Sequence, residues 1–172
     1  MSLEGKKVAV LAENNYEDME LWYPLLRLRE EGADVNVVGV EANKVYTSKH
    51  GYEVTSDLAA GDAYRMEFDA VIVPGGGAPD KMRMVPEMNA IVKTNFDKGN
   101  VVAAICHGPQ VLISAGVLKG KRATCYASIK DDVLNAGATY TDAEVVRHDN
   151  LITSRVPSDL PAFMREVIAA LQ

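Results

Sequence analysis

Among 172 residues the chain has two cysteines and three histidines, and one of each are neighbours: Cys106 and His107. They stand where the apolar run Val101-Val102-Ala103-Ala104-Ile105 gives way to Cys106-His107-Gly108-Pro109-Gln110. A buried strand that ends on a reactive side chain and passes straight into a helix has the form of a nucleophile elbow. Such a tight turn presents the side chain beyond the carboxyl end of the sheet, where the sites of open α/β sheets gather. Cys106 is therefore the expected nucleophile. Partial positive charge at a helix N-terminus is expected to lower its thiol below the ordinary value of ~8.5. His107 is the nearest base, although residues adjacent in sequence do not automatically bring their side chains together. The plainer alternatives are a small buried cysteine filling space under a helix and a histidine capping the turn. Placement at a strand end, followed by His-Gly, favours the elbow.

A second feature is Pro74-Gly75-Gly76-Gly77, which closes the apolar run at 69–73. Glycines at a strand's carboxyl end free backbone N–H groups to face a site, as an oxyanion requires. The turn lacks the lysine and Ser/Thr of a phosphate loop, and no cofactor is expected. The exit loop of the first strand carries Glu13, Glu17 and Asp18, which the same sheet logic brings near Cys106. Gly108 permits a close approach of helix to strand, having no Cβ.

The elements that must position these groups follow from hydrophobic spacing. Strands are expected at 7–12, 34–40, 69–73 and 100–105, with a short one at 122–125. A hairpin excursion is expected within 44–55, and a second hairpin, 143–147 with 151–155, around His148-Asp149-Asn150. Helices are expected at 18–31, 86–98, 108–115, 129–135 and 160–171. In the first of these Met19, Trp22, Leu25, Leu26 and Leu28 form the apolar face, and Pro24 lies inside it. Alternating strands and helices predict an α/β protein with a mainly parallel sheet covered on both faces. Short loops and the absence of repeats predict one domain over 1–172.

The bulk properties exclude several classes. Hydrophobic residues make up 48% of the chain, too many for a disordered protein. A net charge of −6 with both signs interspersed offers no basic stripe for nucleic acid. Residues 1–7 lack the apolar core of a signal peptide, and no apolar stretch approaches the ~20 residues that span a bilayer. A cytoplasmic location is expected, with both thiols free. Two cysteines that do not form a Cys-x-x-Cys pair and three histidines make a structural zinc site unpromising, so no metal is expected.

Taken together, these segments resemble the PfpI-type intracellular cysteine peptidases of the ThiJ/PfpI superfamily. The resemblance spans essentially the whole chain. It is carried by Tyr16-Glu17-Asp18-Met19-Glu20, Lys49-His50-Gly51-Tyr52, Pro74-Gly75-Gly76 and Ala104-Ile105-Cys106-His107-Gly108-Pro109-Gln110. Ile129-Lys130-Asp131-Asp132 and Ser154-Arg155-Val156-Pro157 extend it. It implies a flavodoxin-like three-layer sandwich related to the glutamine-amidotransferase domain. Cys106 would be the nucleophile, His107 its partner and Glu17 the carboxylate beside the thiol. The N–H groups of Gly76 and His107 would form the oxyanion hole. A charged carboxylate would raise the thiol, so Glu17 is expected to act protonated, as a donor. In PfpI peptidases a glutamate from a neighbouring subunit orients the histidine. The matching position here is the shorter Asp80, so a homo-oligomer, dimer to hexamer, is implied, with Asp80 crossing between subunits. Cys125 reads as structural.

Three functions are compatible with these residues. The first is a cysteine peptidase acting on small peptides. The second is a glyoxalase or protein deglycase acting on methylglyoxal, a dicarbonyl compound, and its early adducts. The third is a non-enzymatic redox sensor or stress chaperone, in which Cys106 is oxidised to a sulfinic acid.

Overall fold

The computed structural model describes residues 2–172; Met1 lies outside the described residues. β1 (Lys7–Leu11), α1 (Asp18–Glu30) and β2 (Asp34–Gly39) form the first β-α-β unit. A hairpin of β3 (Val45–Thr47) and β4 (Glu53–Thr55) follows, then β5 (Leu58–Ala59) and the single turn α2 (Ala60–Ala63). β6 (Ala70–Val73) leads through α3 (Ala78–Met82) and α4 (Pro86–Asp97) to β7 (Val101–Ile105). Next come α5 (Pro109–Ala115), β8 (Arg122–Ala123), α6 (Lys130–Asn135) and β9 (Thr139–Tyr140). β10 (Val146–His148), β11 (Leu151–Ser154) and α7 (Leu160–Leu171) close the chain.

Seven strands make one sheet in the order β10-β11-β7-β6-β1-β2-β5, all parallel except β10. The five central strands thus follow the flavodoxin-like order 2-1-3-4-5. The chain steps one way from β1 to β2 and the other way from β6 through β7 to β11. Right-handed crossovers then place α1 on one face and α4 with α5 on the other, and α7 returns to pack beside α1. The expected three-layer sandwich is what forms. The direction reverses between β1 and β6, which leaves a crevice at their carboxyl ends.

The central strands are apolar along their length because both faces are covered. Val8 to Leu11, Ala70 to Val73 and Val102 to Ile105 are fully inaccessible to solvent. The short elements β5, β9, α2 and α3 run two to five residues, too few to show a hydrophobic period, and are absent from the sequence-based expectation. Leu3, in a lead segment that reads as polar, is buried, and its N–H donates to Glu31 O at 3.0 Å. No helix among the described residues is long and apolar enough to cross a membrane.

The largest correction concerns which face of α1 turns inward. Met19 and Leu26 are more than half exposed, whereas Glu20, Leu21, Pro24, Leu25 and Leu28 are buried. Leu21, Leu25 and Leu28 each gain roughly 1.5–3 kcal/mol from burial, which fixes the helix rotation. That rotation carries Glu20 into the crevice.

Candidate active site

Cys106 has φ +63°, the left-handed region that side-chain-bearing residues rarely enter. Two backbone bonds hold it there. Its N–H donates to Ser154 O at 3.0 Å, and its carbonyl accepts from Tyr126 N at 2.9 Å. Gly108 N–H closes the turn on Ile105 O at 2.8 Å. A Cβ on Gly108 would stand 2.5 Å from Val73 O, so the approach of helix to strand requires glycine. The sequence-based elbow is therefore present, with the Cys106 side chain at the carboxyl end of β7 and nearly buried.

Gly76 has φ +78°, and a Cβ there would come within 2.5 Å of Glu17 N. The N–H groups of Gly76 and His107 both hydrogen-bond toward the Cys106 sulfur. The resemblance assigns the same two N–H groups to an oxyanion hole. The His107 ring does bend back: Nδ1 is 3.3 Å from Cys106 Sγ, and Nε2 is 3.2 Å from Ser128 Oγ. Tyr126 supports the ring by stacking, with centroids 4.8 Å apart and planes at 29°.

The carboxylates fall differently from the expectation. Glu17, buried and lining the Cys106 cleft, serves as the N-cap of α1, accepting from Glu20 N at 2.9 Å. The carboxyl group whose charge acts on the thiol is that of Glu20. Its Oε1 accepts from Gly75 N at 2.9 Å, and its Oε2 has no hydrogen-bond partner. A Cβ on Gly75 would be 2.5 Å from Glu20 Oε1 and 2.8 Å from Cys106 Cβ, which shows how closely the two groups meet. Asp80, on α3, is exposed at the rim of the same cleft, and the group bonded to His107 Nε2 is Ser128.

Burial and the charge of Glu17 push the Glu20 carboxyl up to about 8. It therefore stays protonated near neutrality, and Oε2–H is available to donate. Burial, with Glu20 charge adding to it, pushes the Cys106 thiol up to about 12, despite the pull of the Gly76 and His107 N–H groups. This reverses the expectation of a thiol lowered by the helix. α5 is only seven residues long, and desolvation outweighs its dipole. Protonation of Glu20 removes the charge that opposes the thiolate. Burial and the Lys49 cation lower His107, leaving it a neutral imidazole that can take a proton.

Lys49 reaches the site because the β3–β4 hairpin docks on the β1 exit loop. Asn15 N donates to Thr47 O at 2.8 Å, and Lys49 N donates to Tyr16 O at 3.0 Å. The cleft over Cys106 has a volume of about 510 Å³ and is also lined by Gln110 and Pro157. A larger apolar groove, about 810 Å³, lies outside α1 and contains neither cysteine. Glu17, Asp18 and His50 bring potential ligand atoms within 4.8 Å of one another. The Asp18 oxygens already accept from Ser48 and meet His50, and Glu17 caps a helix, so this trio reads as a hydrogen-bond network. Cys125 is fully buried at the floor of a different cavity, and both cysteines are free.

Glu20, Lys49, Tyr126 and Ser128 are thus site residues to which sequence reasoning gave no role. Glu20 had one available signal: it shares the i, i+4 stripe of Pro24 and Leu28. Ser128 had none, being 21 positions from its partner.

The chain matches the DJ-1/PfpI family over residues 6–170. It is 49% identical to a deglycase of Pyrococcus abyssi and 47% identical to the deglycase PfpI of Pyrococcus furiosus, each over 96% of this chain and 99% of the relative. A Bacillus subtilis protein, YraA, with a provisional cysteine-protease name, is 45% identical over 98% of this chain and 99% of its own. Among solved structures, a two-domain protein of Anabaena variabilis with DJ-1/ThiJ/PfpI-like and ferritin-like domains superposes with a TM-score of 0.93 and 43% identity. The match covers 96% of this chain and 48% of that one. Drosophila melanogaster DJ-1beta superposes with a TM-score of 0.89 and 30% identity, over 96% and 90% of the two chains. A thiol on a strained elbow, facing two N–H donors, is thus set in a chain that belongs to the DJ-1/PfpI family.

Proposed function

We propose that this enzyme is a cysteine-dependent deglycase that releases amines and thiols from early adducts of small dicarbonyl compounds. The observation that carries the reading is the Cys106 cleft. A buried thiol, a neutral imidazole at 3.3 Å and two convergent N–H groups meet in a space of about 510 Å³, suited to a small adduct. The deglycase names of relatives close to half identical in sequence support the same choice.

In the proposed reaction, the Cys106 sulfur lone pair forms an S–C bond to the carbinol carbon of the adduct as the C–N or C–S bond there breaks and its electron pair leaves with the amine or thiol. The proton on that carbon then moves to the neighbouring carbonyl carbon through an enediolate, whose oxygen charge the Gly76 and His107 N–H groups receive. Water hydrolyses the resulting lactoyl thioester to lactate and the free Cys106 thiol. His107 Nδ1 takes the thiol proton as the bond forms and later returns it to the departing amine or thiol. The buried Glu20 carboxyl, protonated, donates to sulfur whenever sulfur carries charge. Two free thiols in the described chain are consistent with work in the reducing cytoplasm.

A peptidase acting on small peptides is the second reading, favoured by the name of the Bacillus relative. It uses the same nucleophile, with a peptide nitrogen as leaving group and a thioester that water hydrolyses. Purified protein is to be given methylglyoxal-treated N-acetyl-lysine and N-acetyl-cysteine in one series and a panel of short fluorogenic peptides in another. Adduct loss with lactate released, abolished by Cys106→Ser, is expected. Peptide cleavage with inert adducts would replace the deglycase reading by the peptidase one.

A further inference from the structure

We propose that Ser128 is a positioning residue for His107, holding the imidazole in the tautomer whose Nδ1 is bare toward the Cys106 thiol. The resemblance gives the orienting task to Asp80 of a neighbouring copy. Within this chain the acceptor is already present. His107 Nε2 lies 3.2 Å from Ser128 Oγ while Nδ1 lies 3.3 Å from Cys106 Sγ. The ring is also stacked on Tyr126, two residues before Ser128, so one segment fixes both its plane and its far nitrogen. That segment is pinned to the elbow: Tyr126 N–H donates to Cys106 O at 2.9 Å, and Ile129 N–H closes the turn on Tyr126 O at 3.1 Å. Ser128 stands inside this 3-10 turn, Ala127–Ile129, facing the ring.

The chemistry of the pair follows from the donor count. A protonated thiol donates to Nδ1, so the ring proton must be on Nε2 and needs an acceptor. The serine hydroxyl supplies one without adding negative charge. A carboxylate in the same place would raise the pKa of the ring and favour the imidazolium, which cannot accept the thiol proton. The neutral partner agrees with the lowering of His107 by burial and Lys49. The titratable and charged groups around the ring are Cys106 on its own turn, Lys49 from the hairpin, Tyr126 beneath it, Asp80 of α3 and Glu17 at the start of α1. The proposal rests on Cys106 and His107 being nucleophile and base, not on the identity of the substrate.

The test uses the full chain and no substrate. Nitrogen-15 NMR of the His107 ring reads the tautomer, and iodoacetamide alkylation of Cys106, followed from acid to alkaline pH, reads base assistance; Cys125→Ser removes the second thiol. Wild type is expected to carry its proton on Nε2. Ser128→Ala is expected to mix the tautomers and slow alkylation near neutrality by about three- to tenfold, the factor that loss of one net hydrogen bond represents. Ser128→Thr, which keeps the hydroxyl, is expected to restore both readouts, and Ser128→Asp to raise the pH at which the ring becomes neutral. An unchanged tautomer and an unchanged alkylation profile in Ser128→Ala would overturn the proposal. So would a shift produced by Asp80→Ala while Ser128→Ala matches wild type. A tautomer shift in a protein inert to both adducts and peptides would leave Ser128 in its role and remove the functional reading instead.

Discussion

Glu20→Gln isolates the ionisation of one buried carboxyl. The Glu20 side chain lies in α1 among Leu21, Pro24 and Leu25, out of reach of solvent, with Oε1 on Gly75 N–H. Its acid moves from an ordinary 4.5 to about 8 in the folded chain. At ~1.4 kcal/mol per pH unit, that gap corresponds to roughly 5 kcal/mol between folding with the neutral and with the ionised group. The folded state holds the proton more tightly than the unfolded one. The stability contribution is therefore fully present below about pH 4.5 and is lost as pH rises through about 8. Roughly 3 kcal/mol is gone by about pH 7. Glutamine is neutral throughout, keeps an acceptor for Gly75 N–H and offers an N–H toward sulfur. Guanidinium unfolding of both proteins near pH 5, 7 and 9 cancels every other titration they share. Relative to wild type, the variant is expected to gain roughly 4 kcal/mol between about pH 5 and about pH 9. Stability curves that stay parallel within about 1 kcal/mol would refute the assignment of Glu20 as a buried acid held neutral.

Other perturbations read other parts of the site. Cys106→Ser is expected to abolish turnover while leaving the unfolding midpoint nearly unchanged, because a hydroxyl is far less acidic than a thiol and the base here is a neutral imidazole; retained turnover would refute its role. Gly76→Ala forces φ +78° on a residue with a side chain and drives its Cβ within 2.5 Å of Glu17 N. A loss of about 1–3 kcal/mol of stability is expected, read by thermal unfolding, with a larger fall in activity as the oxyanion donor moves. The Lys49 cation lowers His107, Cys106 and Glu20 alike. Lys49→Met is expected to shift the acid limb of the pH–kcat/KM profile upward, since His107 must be neutral to act as base; a downward shift would contradict the electrostatics. In wild type that limb is expected below the ordinary histidine value of 6.5.

The framework and the position of the thiol at a strand end were legible in the sequence. Apolar runs at 69–73 and 100–105 can be satisfied only by strands covered on both faces, and a cysteine at the end of one, followed by glycine, has few conformations open to it. The Gly-rich turn at 74–77 was legible as a source of backbone donors, whereas the choice of Gly76 and His107 came from the family resemblance. Helix rotation was not legible. Met19, Leu26 and Trp22 give α1 an apolar face as plausible as that of Leu21, Leu25 and Leu28, and only packing on the sheet selects between them. That selection decides that Glu17 caps the helix while Glu20, one turn on, is desolvated against the thiol. Desolvation is also what sets the thiol high, a sum over surrounding atoms that no local motif contains. Ser128 and Lys49 arrive from a 3-10 turn and a hairpin far along the chain. Their nearness to His107 is a property of the closed three-layer fold, which joins the carboxyl ends of separate strands in one crevice.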